Sequence, residues 1–176
     1  MISQFIWLEP ALIFVLILAN GFFAAAEIAI IATRKSRIDA LLEKGVKAAA
    51  AVARLKNDPD RFLATVQIGV TVVSSLASAI GGAAAIGYLE PKIQALPIPI
   101  VARWAEFIAI LVVVLPISYL SLVLGELVPK SLALRFSERV ACLTAPIIDF
   151  LSRISLPLVK ALTASSNAML WIFGGK

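Results

Sequence analysis

The apolar positions of this chain fall into three long runs separated by short polar stretches. The first extends from Leu8 to Ala32, with Asn20, Gly21 and Glu27 as the polar or flexible positions of its interior, and it closes on the basic turn Arg34-Lys35-Ser36-Arg37. A membrane-crossing helix needs about 20 apolar residues, so this run predicts a span. The second, Phe62 to about Tyr88, dissolves into Glu90-Pro91-Lys92 and the turn-rich Leu96-Pro97-Ile98-Pro99; the third, Phe107 to Val128, is followed by Lys130, Arg135 and Arg139. Between the first two lies a charged, alanine-rich stretch, Ser36 to Asp60, that reads as a helical connector. Within it Asn57-Asp58-Pro59-Asp60 is a stop followed by a new helix start.

Beyond the third run, Val140 to Leu162 is apolar but carries Asp149, Arg153 and Lys160 at offsets of four and eleven, which group on one side of a helix. Leu143, Ile147, Phe150, Ile154 and Leu158 line another side. The pattern predicts an amphipathic helix lying in the membrane interface, bent or segmented at Pro146 and Pro157; the alternative is a fourth, kinked span. Thr163 to Phe173 predicts a second short apolar helix. The expected organisation is therefore a three-helix transmembrane region over residues 1–139, with a cytosolic connector at 34–61, and juxtamembrane helices over 140–176.

Composition agrees. The 176 residues are 61% hydrophobic and 15% charged, with a mean hydropathy of +0.98, far from the roughly 45–50% apolar content of soluble domains. An all-α integral membrane protein is expected, with no room for a separate soluble domain. The net charge of +5 is explained by its placement, since eight of the sixteen basic residues lie between Arg34 and Arg61. The first loop, the second loop and the third with the tail carry eight, two and six Lys or Arg. That asymmetry puts the N-terminus outside and the C-terminus in the cytoplasm of a multi-pass protein of the inner, or plasma, membrane. Without a nucleic-acid motif or interleaved aromatics the basic stretch is a topology signal, not a nucleic-acid surface. No histidine is present and Cys142 is the single cysteine, which excludes imidazole–thiolate metal sites and histidine acid–base catalysis. No enzyme, catalytic residue or bound cofactor is expected. The first basic residue is Arg34, so the first run predicts a retained helix and not a cleaved leader.

Within this background, Glu27 and Glu126 are anomalous. A carboxylate at the centre of a bilayer costs about 2.5–3.5 kcal/mol or more, and the default explanation is a functional site facing protein or a water-filled cavity. Asn20, Ala24 and Glu27 share a face of the first span; Gln67, Thr71, Ser74 and Ser78 make a polar stripe on the second; Ser118, Ser121 and Gly125 follow one row of the third. The stripe is either glue between helices, since Ser74, Ser78 and Gly82 are also a ladder of small residues, or the lining of a path. Pro129 cannot donate to the carbonyl of Gly125 and disfavours helix at Val128, so the turn at Gly125 and Glu126 is expected to offer spare carbonyl oxygens. The alternative for Glu126 is an ordinary i,i+4 salt bridge to Lys130. Carboxylates, hydroxyls, amides and carbonyls are hard oxygen ligands suited to Mg²⁺, Ca²⁺ or Na⁺; an organic cation would be drawn to the same carboxylates.

Three motifs in order, Asn20-Gly21-Phe22-Phe23 leading to Glu27 and Ala29, Arg34-Lys35-Ser36-Arg37, and Gly125-Glu126-Leu127-Val128-Pro129-Lys130, resemble the transmembrane domain of the CNNM/CorC magnesium transporters. The resemblance implies three transmembrane helices and a juxtamembrane helix belt assembled as a homodimer. It also implies a following pair of cytosolic CBS modules, which this stretch of chain does not contain. It further implies Mg²⁺ held between the helices by serine, asparagine, glutamate and backbone oxygens and exported in exchange for Na⁺. Carried over, Glu126 is the motif glutamate, Glu27 the acidic position of the first helix, and Val70, Thr71 and Ser74 the amide positions of the second. Ala24 stands where the family commonly has serine, and Gln67 partly offsets the missing amides. The metal set implied is Glu126, Thr71, Ser74, Gln67, Ala24, Gly125, Asn20 and Glu27, in a divergent branch of the family. The expected function is cation transport, most directly Mg²⁺ export coupled to Na⁺ entry; the alternatives are export of an organic cation such as a polyamine, or a non-transporting membrane anchor and dimerisation module.

Overall fold

The computed structural model describes residues 8–172, and every element among them is a helix. In chain order these are α1 (Leu8–Ala32), α2 (Lys35–Glu43), α3 (Lys47–Asn57), α4 (Pro59–Gln94), α5 (Pro99–Arg103), α6 (Ala105–Arg135), α7 (Ser137–Ile154) and α8 (Leu156–Ile172). Helices α1, α4 and α6 are each long and apolar enough to cross a membrane. The first ends at Ala32 as predicted, whereas the other two exceed their predicted bounds, the second running from Pro59 through Pro91 to Gln94 and the third past Pro129 to Arg135.

The connector obeys its local signals. Helix α2 ends where Gly45 takes a φ of 74°, a left-handed conformation that glycine adopts without a Cβ penalty. Gly45 N–H donates to Leu42 O and Val46 N–H to Leu41 O, which satisfies two of the helix's terminal carbonyls. Helix α3 ends at Asn57, and Asp58 Oδ1 accepts the backbone N–H of Arg61 at 3.3 Å, so Asp58 caps α4 one residue before Pro59.

Pro129 behaves differently from expectation. The helix does not break there: Val128 is helical, with φ −65° and ψ −49°, and α6 runs on to Arg135. The missing donor is accommodated by a wider, π-helical turn over Val123–Leu127, in which Val128 N–H reaches back five residues to Val123 O. A second such turn, Ala85–Leu89, lies near the end of α4.

Contacts divide the chain into two compact units: residues up to Ala24 together with Gly69–Ser131, and Ala25–Ile68 together with residues from Leu132 onward. In the first, Ala85, Ile93, Ala105 and Ala109 form a buried cluster where the end of α4 meets the start of α6. In the second, α3 packs on α7, burying Ala49, Val52 and Leu55 with Ala141, Ala145 and Ile148.

The segment 140–162 is helical and two-sided, in two pieces. Helices α7 and α8 are bent 71° apart at Ser155, beside Pro157, while Pro146 sits inside α7 without breaking it. On the polar side of α7 the carboxylate is buried while Arg153 beside it is exposed. Asp149 is 8% exposed and receives Arg54 at 2.8 Å and Arg153 at 2.8 Å, whereas Leu143 and Phe150 are 75% and 61% exposed. A carboxylate with two guanidinium partners from within the fold is better placed inside, leaving the apolar stripe outward, as suits a lipid boundary. The predicted tail helix is present as part of α8, with Phe173 outside the described residues.

Candidate functional site

In the first unit, α1, α4 and α6 line a half-open cavity of about 290 Å³. Its oxygen-bearing lining is Asn20 from α1, Ser74 and Ser78 from α4, and Ser118, Ser121 and Glu126 from α6; Val70, Ala77, Ile117 and Leu122 complete it. The volume accommodates several waters, each needing about 30 Å³, so an ion could enter with part of its hydration shell.

The geometry begins with Pro129. A helix residue normally donates to the carbonyl four positions back, and Pro129 leaves that of Gly125 without a partner. Asn20 supplies one: its Nδ2 donates to Gly125 O at 3.1 Å, buried, across 105 residues of sequence. With its nitrogen so engaged, the amide turns Oδ1 toward α4, where Ser74 Oγ donates to it at 3.5 Å. The spare carbonyl expected at Gly125 is thus occupied by a side chain, and Asn20 presents oxygen.

This contact needs two glycines. A Cβ on Gly21 would stand 2.9 Å from Pro129 Cγ and 3.0 Å from Leu124 O; one on Gly125 would stand 3.1 Å from Ile17 O and 3.2 Å from Asn20 Nδ2. Helices α1 and α6 therefore approach backbone to backbone at the π-helical turn, the use of small residues expected in a membrane interface.

Glu126 Oε1 accepts Lys130 Nζ at 2.7 Å, so the i,i+4 ion pair is formed, with the glutamate side chain 45% exposed. An incoming cation would have to share this carboxylate with Lys130 or displace it.

Of the eight residues marked in the sequence, the cavity collects Asn20, Ser74 and Glu126, with Gly125 buried behind through its bond to Asn20. Ala24 is buried in the same unit but does not line the cavity, and Thr71 is exposed. The reason is rotational: the face that α4 turns to the cavity, Val70, Ser74, Ala77 and Ser78, is displaced from the axis of the polar stripe, leaving Thr71 outside. Gln67 and Glu27 belong to the second unit, the first exposed and the second half-buried, and Glu27 has no hydrogen-bond or ion-pair partner among the described residues. Ser78, Ser118 and Ser121 line the cavity although they were not among those eight; the polar stripe of the second span was the signal for Ser78, and the row Ser118, Ser121, Gly125 for the other two. Among the described residues no cluster of three or more His, Cys, Asp or Glu is suited to a metal ion. The cavity's chemistry is one carboxylate with hydroxyl and amide oxygens, a set that favours a hard cation retaining waters.

Comparisons with known proteins agree with this architecture. The family model described as "Cyclin M transmembrane N-terminal domain" matches residues 11–176. A UPF0053 protein of Synechocystis sp. is 40% identical over 99% of this chain and 38% of its own length, and the UPF0053 protein YhdP of Bacillus subtilis is 33% identical over 93% and 36%. The polyamine export protein of Haemophilus influenzae is 27% identical over 90% of this chain and 36% of its own length. The chain spans under two fifths of the length of these curated relatives. Matched over nearly its whole length and built from three long apolar helices, the chain is a multi-pass membrane protein that belongs to the cyclin M (CNNM) transmembrane family.

Proposed function

We propose that this membrane domain carries a cation, with Mg²⁺ as the substrate exported and Na⁺ as the counter-ion. The observation that carries the reading is the cavity in which Asn20, Ser74, Ser78, Ser118, Ser121 and Glu126 present oxygens between three apolar helices. Glu126 supplies the charge, and Asn20, oriented by Gly125, supplies an oxygen that does not have to reorganise. Mg²⁺ binds by one or two carboxylates while keeping several waters, and the cavity suits that mode. The protein works as a homodimer with its N-terminus outside and α2, α3 and α7 on the cytoplasmic side. The apolar exposure of Leu115 and Tyr119 on α6 supports a lipid or partner contact there. Reconstituted liposomes test this: Glu126→Gln should reduce Mg²⁺ flux at least tenfold, and undiminished flux would refute it.

A second reading is favoured by one contact. Glu126 already binds an ammonium, that of Lys130 at 2.7 Å, and a primary amine of a polyamine would offer the same group. The polyamine export protein among the relatives supports this alternative. Spermidine flux that persists at saturating Mg²⁺ favours the amine; its abolition favours Mg²⁺.

A further inference from the structure

In the second unit a separate cavity of about 390 Å³ lies where the end of α3, the start of α4 and the end of α7 meet. Three arginines line it, Arg54, Arg61 and Arg153, with Asp58 and Asp149 as the carboxylates. Bringing three guanidinium groups together costs electrostatic energy unless something anionic holds them. Asp149 does so only in part: its Oδ2 alone accepts Arg54 Nε, Arg54 Nη2 and Arg153 Nη2. Arg61 is oriented by Ser152 instead, its Nε donating to the backbone carbonyl at 3.3 Å and its Nη2 to Oγ at 3.0 Å. Asp58 is engaged as the cap on Arg61 N–H.

Each guanidinium carries five N–H donors. Arg54 and Arg61 use two apiece and Arg153 one, so most donors remain for another acceptor. The side chains of Arg54 and Arg153 are 53% and 60% exposed, while that of Asp149 is 11% exposed. The carboxylate lies at the bottom and the cations at the opening, an arrangement that admits an anion. Planar forks already fixed at their inner edge are suited to the tetrahedral oxygens of a phosphate.

We propose that the Arg54–Arg61–Arg153 cavity binds a phosphate group, that of an anionic phospholipid headgroup. The lipid source follows from what adjoins Arg153: Phe150 and Ile154, both 61% exposed, continue the outward apolar stripe of α7. A headgroup in the cavity would leave its acyl chains along that stripe. The site is independent of the ion cavity and of what passes through it.

The test is native mass spectrometry of the detergent-purified protein with phosphatidylglycerol or phosphatidylcholine of matched chains, and with glycerol 1-phosphate as the soluble arm. Phosphatidylglycerol should be retained over phosphatidylcholine. Arg61→Gln and Arg153→Gln should each weaken retention about tenfold, the loss expected for a charge-assisted hydrogen bond. Arg139→Gln, exposed on the same helix and outside the cavity, should not. Arg153→Gln keeps the Arg54–Asp149 pair, so it tests the site without unpairing the buried carboxylate. Equal retention of the two lipids, or arginine variants indistinguishable from Arg139→Gln, would overturn the site. Glycerol 1-phosphate binding as tightly as the lipid would keep the phosphate site and overturn the lipid assignment.

Discussion

Replacing Asn20 by alanine tests whether the amide is the substitute partner for a carbonyl that Pro129 deprives. The substitution removes the 3.1 Å bond to Gly125 O and leaves that buried acceptor bare. A buried polar group left unsatisfied costs about 1–3 kcal/mol, while interhelical hydrogen bonds in membranes average about 0.6 kcal/mol and reach about 1.7. Here the lower half of the first range applies, since the adjoining cavity can admit a water to the freed carbonyl; the expected loss is about 1–2 kcal/mol. In a Pro129→Ala background, residue 129 regains an N–H within reach of Gly125 O. The same Asn20→Ala change should then cost less, by a coupling of about 1 kcal/mol, well outside the roughly 0.3–0.5 kcal/mol within which independent sites add. Equilibrium unfolding of the detergent-solubilised protein in mixed micelles with rising dodecyl sulfate, followed by circular dichroism, measures all four variants. Additive penalties would mean that Asn20 packs against α6 without serving its carbonyl, and the account of the π-helical turn would fail.

Two further expectations concern the second unit. Burial pushes the Asp149 carboxyl up, but hydrogen bonds and charge from Arg54, and then from Arg153, outweigh it and hold it below its ordinary range. Its contribution to stability is therefore present above the unfolded value of about 3.9 and lost as pH falls through the depressed native value. Melting curves of the wild type and Asp149→Asn between pH 3 and 6 should converge toward the acid end; a constant gap would refute the linkage. Cys142 is pushed up by burial and then by the charge of Glu138, so maleimide should label it more slowly than free cysteine at pH 7, with the rate rising as the pH is raised. Labelling as fast as free cysteine would contradict that environment.

Much of the fold follows from local chemistry and could be read directly. The end of the first span at Ala32 followed from its own hydropathy, and the Asn57–Asp60 punctuation marked the α3–α4 junction because the Asp58 cap and Pro59 act within one turn. The site was less legible. Pro129 signalled an unpaired carbonyl, but a wide turn and a side chain 105 residues away absorbed it, with no broken backbone. Gln67 and Thr71 lay on a regular polar stripe yet are exposed, since a stripe fixes neighbours on one helix and not the rotation of that helix in its bundle. Ser118 and Ser121 gained their place only from the helices opposite them.

By itself the sequence determined the membrane as solvent, the three spans, the crowding of positive charge into the first connector and the presence of carboxylates where lipid would not tolerate them. Those are properties of segments, set by transfer energies that add along the chain. Tertiary structure alone decided that Asn20 serves Gly125 and turns its oxygen toward Ser74, that Glu126 shares a cavity with four serines while pairing with Lys130, and that Asp149 is gripped from within by Arg54. In an apolar solvent the apolar faces of these helices are nearly equally at ease, so hydropathy cannot choose among them. The choice falls to close packing at Gly21 and Gly125 and to the need of each buried polar atom for a partner.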